Sequence, residues 1–117
     1  MQQKRLFFFL SHLDDFEISC LGYLFNHVCE YDQIDLVVAS TWSAKEAVCA
    51  SNLQYLKKEC GLDIKYTNLG FPQRSLMTNL DCAKDKFYKL IPWQDNFDII
   101  THSQDDCHTD HVATSLI

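Results

Sequence analysis

In Arg5-Leu6-Phe7-Phe8-Phe9-Leu10-Ser11-His12-Leu13-Asp14-Asp15, an unbroken apolar run passes directly into a polar turn. An apolar run this short, with no alternation, reads as a strand (Arg5 to Leu10) buried on both faces, as in a parallel sheet. The residues that follow change period. Phe16 to Glu30 reads as a helix, with Phe16, Cys20, Tyr23, Leu24 and His27/Val28 near one face. The same alternation then recurs along the chain. Ile34 to Ser40 is a second strand, and Ala44 to Cys60 a second helix closed by Gly61. Leu62 to Asn68 is a third strand. Leu80 to Ile91 is a third helix, stopped by Pro92, and Phe97 to Thr101 is a fourth strand. A further helix begins at Asp110. Strand and helix repeated four times predict an α/β fold. The expected architecture is a single Rossmann-like three-layer domain over 1–117, with a mostly parallel sheet in the order 3-2-1-4. The sequence stops at Ile117 inside the first turns of a helix, which predicts a chain truncated at its C-terminus relative to a longer domain.

Composition narrows the function. The 117 residues suit one domain, and 47% of them are hydrophobic, enough for a real core. The formal net charge of -6 argues against nucleic acid and anionic membrane as partners, since both require a basic face. A small-molecule substrate fits better, and a homo-oligomer stays open. The apolar run Leu6 to Leu10 is too short for a secretory leader, which predicts a cytoplasmic protein. None of the six cysteines forms a C-x-x-C pair, so zinc-finger and thioredoxin readings fail. They are expected to be reduced core residues, with Cys107 set apart by its neighbour His108.

Two segments carry chemistry. Ser11-His12-Leu13-Asp14-Asp15 follows the first strand, and Asp105-Asp106-Cys107-His108-Thr109-Asp110-His111 follows the fourth. In an open parallel sheet, ligands bind outside the carboxyl ends of the strands, at the point where the strand order reverses. If the fourth strand lies beside the first, His12, Asp15 and His111 come within reach of one ion. Two imidazoles and a carboxylate, with a position left for water, are the usual donors of a hydrolytic zinc site. Asp14 is then placed to take a proton from water, and His108, with Asp110 as partner, to steady the oxyanion or protonate a leaving amine. Alone, His12-Leu13-Asp14-Asp15 reads equally as a helix N-terminus capped by an Asp. Alone, the second segment reads as a solvated loop. Their pairing at one sheet edge favours the metal.

These two motifs resemble those of the LmbE-like, or N-acetylglucosaminyl-phosphatidylinositol de-N-acetylase, family. The family's first motif, His-Pro-Asp-Asp followed by x-Glu-Ile and later a glycine, stands here as His12-Leu13-Asp14-Asp15-Phe16-Glu17-Ile18 with Gly22. Its second, Asp-x-His-x-Asp-His, is Asp106-Cys107-His108-Thr109-Asp110-His111. The resemblance covers essentially the whole chain. It implies zinc on His12, Asp15 and His111, Asp14 as general base, and His108 as acid or electrophile oriented by Asp110. The implied reaction is hydrolysis of an N-acyl amino sugar, or its conjugate, to a free amine and acetate. Fe2+ or Co2+ would suit the same donors.

The chain also departs from the pattern. Leu13 replaces the usual proline, and Cys49 and Asn52 stand about where the family often has an Arg and a Glu. Arg74, after the third strand, is a substitute candidate for substrate contact, and equally a solvated loop arginine. Family members run to about twice this length. Trp42 is a candidate for stacking on a sugar, and His102 for a place beside the site or a plain loop hydrogen bond. The rival readings are a related amide or ester hydrolase and a catalytically silent metal-binding domain. Intact Asp14 favours an enzyme. A nucleotide-binding domain would need Gly-x-Gly-x-x-Gly after the first strand, and the three glycines, Gly22, Gly61 and Gly70, lie elsewhere.

Overall fold

The computed structural model describes residues 4–12, 20–40, 43–72, 75–91, 93, 96–102 and 114–116. Four strands run in chain order: β1 Lys4–Leu10, β2 Gln33–Ser40, β3 Ile64–Phe71 and β4 Asn96–Ile100. Three helices of more than one turn connect them: α1 Leu21–His27, extended by a 3-10 turn Val28–Glu30, then α2 Ser43–Cys60 and α3 Leu80–Leu90. The sheet order is β3-β2-β1-β4, and every pairing is parallel. The α/β class, the parallel sheet and the strand order match the sequence-based expectation.

The side-chain period of a strand explains the three layers. Leu6, Phe8 and Leu10 point to one face, where they pack with Leu24 of α1 and Leu56 of α2. Phe7 and Phe9 point to the other, against Ala83 and Phe87 of α3. Phe9 and Phe87 stack with ring centroids 3.9 Å apart. The chain moves outward from β1 through β2 to β3, then returns across the sheet to β4 on the far side of β1. Right-handed crossovers in opposite directions put α1 and α2 on one face and α3 on the other. Leu6 to Leu10 are therefore all buried, as the unbroken run predicts.

The ends of the elements depart from the sequence reading in ways that have local causes. β3 continues to Phe71 rather than ending at Asn68, because the register slips between Val38↔Asn68 and Ser40↔Phe71. The extra residue is accommodated near Gly70, whose φ of 84° is open to glycine. α2 stops at Gly61, φ 71°, whose N–H donates to the Lys57 carbonyl. α3 ends at Leu90 rather than Ile91. Ile91 is extended, with ψ 126°, as the residue before a proline prefers. Cys20, just before α1, and Leu24 on it face the core but Tyr23 does not. It is 39% exposed and stacks on His27, which corrects its expected place on the apolar face. Phe16 lies outside the described residues, as do all of 13–19.

The cysteine expectation also needs correction. Cys20 is buried, but Cys29, Cys60 and Cys82 are exposed thiols. Apolar sequence neighbours do not fix a face: Cys82 directly precedes Ala83, which is buried, and points the other way. Cys107 lies outside the described residues. Among those residues, no helix is long and apolar enough to cross a membrane.

Candidate functional site

Because the sheet is parallel, the carboxyl ends of all four strands share one edge. β1 and β4 are adjacent there, with Phe8 paired to Ile100, so Ser11-His12 and Thr101-His102 leave the sheet side by side. The strand order reverses between these two strands, which is where α/β domains of this type hold ligands.

Ser11 is the junction of this edge. It is fully buried, and its three polar groups are bound to three different parts of the chain. Its N–H donates to Nε2 of His102, 3.1 Å away, beyond β4. Its carbonyl accepts from the N–H of Ser40, the last residue of β2, at 3.0 Å. Its Oγ lies 2.6 Å from Oγ1 of Thr114 in the helical turn 114–116. An Nε2 that accepts carries no proton, so the neutral His102 ring holds its proton on Nδ1.

The polar chain continues to β3. Asn68 Nδ2 donates to the Ser40 carbonyl (3.1 Å) and to the Tyr66 hydroxyl (3.0 Å). Its Oδ1 accepts from the Gly70 N–H, 2.7 Å away, inside the bulge. The Ser40 hydroxyl is buried at the same edge and has no hydrogen-bond partner among the described residues. Side chains thus join the ends of β1, β2, β3 and β4, together with the turn at Thr114.

Of the candidate site residues, His12 lies among the described residues, half-buried one peptide beyond Ser11. Asp14, Asp15, Arg74, His108, Asp110 and His111 lie outside them, as does Trp42. Among the described residues no group of three or more His, Cys, Asp or Glu side chains gathers as a metal cluster. His102 accepts a hydrogen bond from the main chain of Ser11, the residue after β1. Ser11, Ser40, Asn68 and Thr114 were not singled out by sequence. Their shared signal is weak: Ser11 and Ser40 are small polar residues that directly end apolar runs.

Other side chains are structural. His27 Nδ1 pairs with Glu30 at the end of α1. Trp93 is exposed, and its indole N–H donates to the Tyr88 carbonyl. At the opposite, amino edge of the sheet, the Tyr31 hydroxyl donates to Asp98 at 2.7 Å. Burial, then the hydrogen bonds with Tyr23 and Asp98, push the Tyr31 phenol above its usual range. A hollow of about 400 Å³ lies over the start of α3, lined by Met77 to Cys82, and contains none of the candidate ligands.

No family model matches this chain, and no curated protein does. Among solved structures it is similar to the crystal structure of the conserved protein TT1542 from Thermus thermophilus, with a TM-score of 0.60 and 19% identity. The likeness covers 99% of this chain and 53% of that one, so the chain spans about half the length of the structure it matches. At that identity the likeness is one of fold, and it agrees with the architecture above: an α/β domain with a parallel sheet between two helical layers.

Proposed function

We propose that this chain is the metal-carrying part of a zinc-dependent N-deacetylase of the LmbE-like kind, acting on an N-acyl amino sugar or its conjugate in the cytoplasm. The observation that carries the reading is the adjacency of β1 and β4. The two segments that hold the motifs start from neighbouring strand ends, at the point where the order reverses.

The donors suit the ion. His12, His111 and Asp15 offer two imidazoles and one carboxylate, which is a hydrolytic zinc set. A zinc ion held by these residues would supply acidification of water and polarisation of the acyl carbonyl. Asp14 accepts the proton of the attacking water. His108, oriented by Asp110, delivers a proton to the amide nitrogen as the C–N bond breaks, leaving a free amine and acetate. Arg74 is the candidate contact for a substrate hydroxyl, phosphate or carboxylate.

The test is acetate release from N-acetylglucosamine and its glycosides by the full-length protein, with and without a chelator. Release that stops with chelation and returns with Zn2+ supports the reading. About one bound metal per chain with no release from any N-acyl sugar would point to a silent metal-binding module. No bound metal would overturn the proposal.

A further inference from the structure

The geometry points to His102 and Thr114 as positioning residues for the metal centre, acting through Ser11 on the ligand His12. This inference rests on the metal-centre reading above.

Ser11 has no exposed surface and cannot bond to bulk water, so each of its polar groups needs a partner inside the protein. The Ser11 carbonyl uses the ordinary sheet partner, the N–H of Ser40. The other two groups do not. The N–H goes to an imidazole from beyond β4, and the hydroxyl goes to a hydroxyl from the turn at 114–116. Both segments flank the second motif in sequence: His102 lies before Asp106-Cys107-His108-Thr109-Asp110-His111, and Thr114 lies after it. Both meet the residue directly before His12.

Ser11 therefore ties the start of the first motif to His102 and Thr114, which flank the second in sequence. A metal site tolerates ligand misplacement of only about 0.5 Å. The peptide from Ser11 sets the direction in which His12 leaves the strand. With its N–H and hydroxyl both anchored, Ser11 cannot rotate independently of the chain that carries His108 and His111. Groups hydrogen-bonded directly to a ligand typically alter metal affinity by about 10–100-fold when removed. His102 and Thr114 act one residue further back, through Ser11, so an effect at the lower end is expected.

The test uses the full-length protein loaded with Co2+, whose visible spectrum reports ligand geometry, together with zinc affinity by competition. His102→Leu and Thr114→Val should each weaken metal binding about 10-fold and change the cobalt spectrum. His102→Gln, which keeps an acceptor, and Thr114→Ser, which keeps the hydroxyl, should restore affinity to within a few-fold. Ser11→Ala deletes the hydroxyl bond but keeps both main-chain bonds, and stays measurable if a larger change prevents folding. Unchanged affinity and spectrum in the Leu, Val and Ala variants, beside a lowered Tm, would overturn the inference and make these bonds simple ties of the fold. A wild-type protein that binds no metal would overturn the metal-centre reading itself, and this inference with it.

Discussion

Ser11 Oγ and Thr114 Oγ1 lie 2.6 Å apart, both side chains buried, across 103 positions of sequence. Removing either hydroxyl breaks this bond. It fixes the turn at 114–116 to the end of the central strand.

Thr114→Val removes one partner at nearly constant volume and leaves the Ser11 hydroxyl buried. The expected loss is about 1–3 kcal/mol in denaturant unfolding. Thr114→Ser should lose less than about 1.5 kcal/mol, and Ser11→Ala combined with Thr114→Val less than the sum of the two single changes. Strict additivity would mean that the two hydroxyls do not interact.

Arg5 and Asp35 form an ion pair at 2.9 Å with side chains 14% and 6% exposed. Asp35→Asn should destabilise by about 3–5 kcal/mol, since it strands a buried guanidinium whose Nε already has no partner among the described residues. Arg5→Met with Asp35→Leu should cost far less than either single change. A double variant as unstable as the singles would contradict this.

Phe9 holds the second core through its stack on Phe87. Phe9→Ala should cost about 3–5 kcal/mol, and Phe9→Leu markedly less. A loss below about 1 kcal/mol would show that the face relaxes to fill the gap.

Tyr31 ionises above its ordinary range in the folded state. Its unfolded pKa is roughly 10. A raised acid contributes stability that is complete below that pH and is lost as the pH climbs beyond it. Unfolding midpoints should therefore fall above about pH 10, and Tyr31→Phe should flatten that slope. The same alkaline slope in the variant would assign it to other groups.

Under the proposed function, Asp14→Asn should keep the metal and lose most turnover, at least about 100-fold, because that reading makes Asp14 the base and not a ligand. His12→Ala and His111→Ala should lose the metal itself, read by metal analysis of the purified protein.

The fold was legible because its signals are local and strong. Leu6 to Leu10 announce a strand covered on both faces, and the repeat of strand and helix fixes the class. The placement of β4 beside β1 belongs to the expected Rossmann-like order 3-2-1-4. Finer features were not legible. The bulge at Gly70 depends on how β3 meets β2, and the outward turn of Tyr23 on a rotation of about 100° from Leu24. The Ser11–His102–Thr114 junction was hidden for a different reason. Hydrogen bonds between distant small polar residues leave no periodicity, and His102 signals only that it is a histidine beyond a strand.

The order β3-β2-β1-β4 also has a kinetic side. Of the four described strands β1 is made before the others, yet its Lys4 must wait for Asn96 before its second edge is paired. At about 5–20 residues per second of synthesis, that wait is on the order of ten seconds. For that time Leu6 to Leu10 present an open, strongly apolar strand edge, the kind that recruits other chains. Pairing with β2 and cover by α1 leave the β4-facing edge as the part of β1 that stays open longest. The junction at Ser11 is completed only once His102 and Thr114 have been made, so it forms later than the pairing of β1 with β2.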